Sequence, residues 1–280
     1  MIGPQKATSS ARVTRYREGQ SSRHRDALAV EEPLEIRLSW VHEGTRRVEP
    51  LAVTMRTPGH DFELVAGFLH GEGVVERAED LMELTYCRSG AEQRYNIVEA
   101  RLAPDCHFEM DTVRRNFYTT SSCGVCGKAS LEAVEARGCV SLEDGLRLPE
   151  AFLGSLPDRL RTGQGVFART GGLHAAGLFG ADGIAKVVME DVGRHNAVDK
   201  VLGHALLARE LPASDRVLVV SGRASFELVQ KALAGRVPIL LAVGAPSSLA
   251  VDLARQFGQT LIGFARDGGF NVYCGGERVV

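Results

Sequence analysis

Cys123 and Cys126 stand in the stretch SSCGVCGKAS, residues 121–130. Their Cys-x-x-Cys spacing admits half of a zinc site, a redox disulfide, or a thiolate that carries a sulfur atom. Structural zinc needs four ligands, usually from two close pairs, and the chain has no second such pair. No structural metal is expected. The zinc-deaminase signature joins His-x-Glu to a later Pro-Cys-x-x-Cys. Here His174 is followed at position 176 by Ala instead of the acid–base Glu, and the cysteine pair precedes the histidine. His174 is read as a hydrogen-bonded histidine near the core. A thioredoxin-type disulfide fits the local residues, because Cys123 would stand at a helix entrance where the dipole and Lys128 favour thiolate. Its setting does not fit, since the pair follows β-rich sequence and precedes a linker, away from any βαβ turn. What remains is a nucleophilic sulfur on a Ser- and Gly-flanked loop, reaching a ligand held elsewhere.

A second group of residues could hold such a ligand. EDVGRHN (190–196), VSGRASFE (220–227) and AVGAPSS (242–248) each put small or polar residues between an expected strand and an expected helix. Ligands of open α/β sheets sit at that edge, where helix N-termini offer free N–H groups to anions. Arg194, His195 and Arg223 add charge or hydrogen bonds there. GFARDGGF (263–270) is read as a loop leaving a strand. Phe264 could stack on a ring and Arg266 bind phosphate, while Ala265 and Asp267 lie between and Gly268 and Gly269 allow close backbone approach. Each stretch alone is an ordinary turn or cap. Together the four point to a phosphate-bearing, aromatic ligand.

The elements that must position these residues follow from periodicity. LEIRLSW alternates Leu34, Ile36, Leu38 and Trp40 with polar residues as a half-buried strand does, and a second strand runs from Val48 to Met55. Asp61 is the expected N-cap of a helix that puts Phe62, Val65 and Leu69 on one face and ends at Gly71. Further strands are expected at YNIVEARL and around HFEMDTVRRNFY, and a short helix from Lys128 to Gly138. After the turn-rich SLEDGLRLPE the pattern becomes strand–helix alternation with a largely parallel sheet. The expected division is a disordered basic tail over 1–30, a β-rich α+β domain with the cysteine loop over 31–145, and an α/β ligand-binding domain over 146–280.

At 280 residues with 44% hydrophobic and 24% charged, the chain reads as an ordinary globular protein of about two domains. The net charge of −2 argues against nucleic acid as a partner. Lys6, Arg12, Arg15, Arg17, Arg23 and Arg25 against Glu18 and Asp26 give the first thirty residues +4 and leave −6 for the rest. A transit peptide is the rival reading of that tail, but no apolar helical stripe supports it. Six cysteines without a hydrophobic signal segment indicate free thiols and a cytoplasmic location. The longest apolar run, residues 237–246, falls short of the ~20 residues a membrane span requires, so no membrane association is expected.

In order along the chain, TPGHDFELVAGFLHGEG, SSCGVCG, TGGLHAAGLF, EDVGRHNAVDKVLG, SGRASFELVQK, GAPSSLAV and LIGFAR resemble the formate dehydrogenase accessory sulfurtransferase family, FdhD, from about residue 30 to the end. The resemblance implies a cytidine-deaminase-like, three-layer α/β second domain without zinc. It implies a cytoplasmic sulfurtransferase that takes sulfane sulfur from a cysteine desulfurase as a persulfide. The acceptor is the molybdenum cofactor, bis(molybdopterin guanine dinucleotide), of formate dehydrogenase. Cys123 matches the family's persulfide-forming residue, and Phe264 to Gly269 its cofactor-binding stretch, with the guanine nucleotide moiety held there. Cys126 either resolves the persulfide or assists its loading. A homodimer is expected, and the formate dehydrogenase apoenzyme is the expected partner. Two rival classes stay open: a thiol–disulfide oxidoreductase and a non-catalytic cofactor chaperone.

Overall fold

The computed structural model describes residues 6–87, 95–106, 108, 139–143 and 145–280. Cys123, Cys126, most of the strand expected around HFEMDTVRRNFY and the helix expected from Lys128 lie outside the described residues.

Alternation in the first half gives the expected strands. In β3 (Glu32–His42), Leu34, Ile36 and Leu38 are fully buried. This strand pairs antiparallel with β4 (Thr45–Arg56) and parallel with β6 (Ile97–Leu102), which pairs with β5 (Leu81–Tyr86). The sheet order is β4-β3-β6-β5. Helix α1 (Asp61–Gly71) sets Leu64, Val65 and Leu69 into the same core. His60, at φ 59°, takes the N-cap position expected for Asp61. Asp61 is drawn instead to the buried Arg56, whose Nε and Nη2 donate to Oδ1 and Oδ2 at 3.0 and 2.9 Å.

The second half holds α2 (Glu150–Thr162), α3 (Phe167–Thr170), β7 (His174–Gly180), β8 (Ala185–Asp191), α4 (Arg194–Leu207), β9 (Arg216–Val220), α5 (Phe226–Ala234), β10 (Ile239–Ala242), α6 (Ser248–Gln256), β11 (Thr260–Arg266) and β12 (Gly269–Cys274). The order β12-β11-β10-β9-β7-β8 is parallel only across β9, β10 and β11. β7, β8 and β12 join antiparallel, which corrects the expectation of a largely parallel sheet. Hairpins made the difference, because β7 to β8 and β11 to β12 are joined by short turns that leave no length for a crossover. Val198, Leu202, Leu228 and Leu253 cover one face of the sheet, while Leu153, Leu156 and Leu160 of α2 cover the other. The result is a helix–sheet–helix stack. Cys139 and Leu142 already pack on this second core, ahead of the boundary expected near 145.

The first thirty residues depart from expectation. β1 (Thr8–Arg17) and β2 (Gln20–Ala29) form an antiparallel hairpin in place of a disordered tail. Its turn carries Glu18 and Gly19 at positive φ (50° and 77°), the backbone that a two-residue hairpin demands.

The halves meet where α1 crosses α4. A Cβ on Gly67 would lie 1.8 Å from Asp199 O, and one on Gly203 would lie 1.8 Å from Glu63 O, so glycine at both positions permits the backbones to touch. Buried ion pairs flank the crossing. Lys231 Nζ lies 2.6 Å from Asp199 Oδ1, and Lys200 Nζ lies 2.7 Å from Asp191 Oδ2.

Candidate functional site

A cavity of about 510 Å³ opens at the carboxyl edge of the parallel strands, between the sheet and α2. The parallel ladder continues past the strand ends and laces the three loops together. Gly244 N–H donates to Gly222 O at 2.9 Å, Ala224 N–H to Ala245 O at 3.2 Å, and Phe264 N–H to Gly244 O at 3.1 Å. A Cβ on Gly244 would come within 3.0 Å of the Arg223 backbone, so this lacing depends on glycine.

Ala265, Arg266 and Asp267 line the cavity. Their loop is nevertheless a strand end and a tight hairpin. Arg266 pairs with Gly269 across Asp267 and Gly268, which have φ of 52° and 77°. Phe264, Gly268, Gly269, Arg223 and His195 are absent from the lining. Phe264 is 42% exposed at φ 53°, its side chain available to a ring approaching from solvent. His195 turns to α5, where its Nε2 lies 2.7 Å from Glu227 Oε2 and 3.2 Å from Ser225 Oγ. That hydrogen bond holds the Glu227 carboxyl below its ordinary range.

Within EDVGRHN the structure divides the labour. Asp191 is an internal pin: Oδ1 accepts from Gly193 N–H and Asn196 Nδ2, and Oδ2 accepts from Thr57 N–H and Lys200. Lys200 also donates to Thr57 O and Glu190 O, so carboxylate and ammonium are both saturated. Arg194 is different, because its Nε is buried with no hydrogen-bond partner among the described residues. Its side chain passes Gly222, where a Cβ would lie 3.6 Å from Arg194 Cδ and 3.4 Å from His174 Nδ1.

His174, expected near the core, lines the cavity instead. Burial, with the positive charge of Arg194 beside it, pushes it below the ordinary histidine value. It is therefore predominantly neutral at pH 7 and can donate one hydrogen bond and accept another. The helical wall was not anticipated from sequence. Arg161 of α2, Gln164 of the connecting turn and Phe167 of α3 line the cavity, with the Arg161 guanidinium 5.2 Å from the Phe167 ring centroid. Gln164 beside Gly163, which packs closely on Val188, was the available signal.

Two guanidiniums (Arg161 and Arg266), two carboxylates (Asp158 and Asp267), the His174 imidazole and the Ser221 turn make this a polar site of mixed charge with room for a ring. Its volume is in the usual range for small-molecule sites. Among the described residues no group of three or more His, Cys, Asp or Glu is placed to hold a metal ion, and no helix is long and apolar enough to cross a membrane.

Comparison with known proteins places this architecture. The model of the FdhD/NarQ family matches residues 29–280. "Sulfur carrier protein FdhD" of Streptomyces avermitilis is 52% identical over 279 residues, covering 98% of this chain and 96% of that protein. The protein of the same name from Mycobacterium tuberculosis is 50% identical over 280 residues, 98% of this chain and 99% of that one. A crystal structure described as a formate dehydrogenase accessory protein, from Desulfotalea psychrophila, matches with a TM-score of 0.75 at 26% identity, covering 98% of this chain and all of that one. With the fold matched end to end and the family model spanning all but the first 28 residues, this chain belongs to the FdhD/NarQ family.

Proposed function

We propose that this chain is a cytoplasmic sulfur carrier for formate dehydrogenase maturation, loading Cys123 as a persulfide and passing the sulfur to a molybdenum-bound guanine dinucleotide. The observation that carries the reading is the polar cavity at the sheet's carboxyl edge, where Arg161 and Arg266 offer two guanidiniums beside Asp158 and Asp267. A thiol–disulfide oxidoreductase has no use for such a cavity, and a pure chaperone has no use for Cys123. The names of the relatives agree with sulfur carriage, and the accessory-protein neighbour agrees with formate dehydrogenase as the beneficiary. A cytidine-deaminase-like origin for the second half is consistent with its helix–sheet–helix stack, and a homodimer belongs to the same reading.

The chemistry divides between two places. At Cys123 the thiolate attacks the outer sulfur of a desulfurase persulfide, and the desulfurase thiolate leaves. In the cavity Arg161 and Arg266 take the phosphates as charge-assisted hydrogen-bond acceptors. Arg194 Nε is a further buried donor awaiting a partner. Delivery breaks the Cys123 S–S bond. Attack by Cys126 on the inner sulfur would form a disulfide and release sulfide to the acceptor, after which a thiol reductant restores both cysteines. The acceptor is the substrate of this reaction, not a resident group.

Formate dehydrogenase activity in cells lacking the native chain and supplied with variants tests the proposal. Cys123→Ala should abolish maturation while leaving the protein folded. Cys126→Ala should reduce it less. Full activity with Cys123→Ala would remove sulfur carriage.

A further inference from the structure

The helical wall of the cavity carries a polar group with no structural task. Gln164 is 6% exposed and lines the cavity. Its backbone is committed, with its N–H donating to Arg161 O at 3.2 Å and its carbonyl accepting from Ala168 N–H at 3.0 Å. Its carboxamide has no hydrogen-bond partner among the described residues. Unlike Arg194 Nε, this carboxamide is not sealed from solvent, so its donor and acceptor open onto the cavity. The wall around it is rigid. A Cβ on Gly163 would fall 2.8 Å from Val188 Cγ1, which presses this segment against β8. Glu190 accepts the N–H groups of Val166 and Phe167 at 2.8 and 2.7 Å, one on each carboxylate oxygen, and so clamps the start of α3 to the same strand.

We propose that Gln164 reads the base of the bound nucleotide. A carboxamide presents a donor beside an acceptor, the complement of the adjacent N–H and C=O on the guanine edge. Arg161 and Arg266 serve the phosphates and Phe167 offers a ring face beside the base. The assignment rests on the guanine-nucleotide reading of this cavity and names the residue that makes it selective. A site built to hydrogen-bond a ligand group discriminates against ligands lacking that group, because its own buried partner is then stranded.

Calorimetric titration of the full chain with GDP, N1-methyl-GDP and inorganic pyrophosphate tests it. Gln164→Leu should weaken GDP on the order of tenfold to a hundredfold and abolish the preference for GDP over its methylated form. Pyrophosphate affinity should not change. Gln164→Glu keeps the size and the acceptors but loses the donor, and should restore part of the preference. Gln164→Leu that still prefers GDP over N1-methyl-GDP overturns the assignment, as does an equal loss for GDP and pyrophosphate, which would mark a wall of purely structural importance. If the unaltered chain binds neither GDP nor pyrophosphate, the reading of the cavity itself fails and takes this one with it.

Discussion

At the scale of single residues the account turns on Arg266. It ends β11 at the cavity and pairs across a two-residue turn with Gly269, so its backbone is fixed by the hairpin. A guanidinium there can meet a phosphate through two parallel hydrogen bonds, each worth about 1.5–3 kcal/mol when a partner is charged. Arg266→Ala should therefore weaken GDP on the order of tenfold to a hundredfold by calorimetric titration. Arg266→Lys should recover only part, because an ammonium lacks the planar fork. Unchanged affinity in Arg266→Ala would move the anion site to Arg161 or Arg194. The sequence reading of a phosphate loop here misjudged the backbone. Asp267-Gly268 between Arg266 and Gly269 is a strong two-residue hairpin signal, and its weight as a turn was set aside for a phosphate loop.

Among elements, the decisive contact is the crossing of α1 and α4, where Gly67 and Gly203 let the two halves touch. Gly203→Ala would press a methyl group into Glu63 O and force the helices apart. The expected cost is at least the 1–3 kcal/mol typical of overpacking, about that much lost in a denaturant-unfolding measurement with the fold retained. An unchanged midpoint would show that the crossing is looser than described. Periodicity made both helices legible, since Val198, Val201 and Leu202 recur at helical spacing and are fully buried. The crossing was not legible, because no local pattern links Gly67 to Gly203. The same limit applied to the EDVGRHN motif. The motif is read from sequence as a ligand-binding edge, yet its Asp191 and Asn196 find partners at Thr57 and Met55 in the other half. A side chain that binds backbone far away in the chain cannot be told from one that binds a ligand until the fold is known.

The whole molecule is a ligand-binding α/β half pinned to a β-rich half, with the β1–β2 ribbon standing apart. The ribbon touches the rest chiefly through β2 and α3, where Ala29 Cβ would lie 3.5 Å from a Cβ on Gly172. Arg12 faces Arg25 directly across it, and like charges so placed weaken a strand pair. The ribbon contributes no residue to either of the main hydrophobic cores on the two sheets. A chain beginning at residue 30 should therefore melt within a few degrees of the full chain, on the order of the shift from about 1 kcal/mol. A much larger drop would make the ribbon part of the folded unit. The ribbon was read as a tail because its strands have no apolar face, and a hairpin exposed on both sides leaves no alternation to detect. The central claim concerns Cys123. Intact-mass analysis of the chain after incubation with a cysteine desulfurase and cysteine tests it most directly. The account predicts a reductant-sensitive gain of roughly 32 Da, one sulfur atom, on the native chain and on Cys126→Ala, and none on Cys123→Ala. The same gain on Cys123→Ala, or none on the native chain, would contradict it.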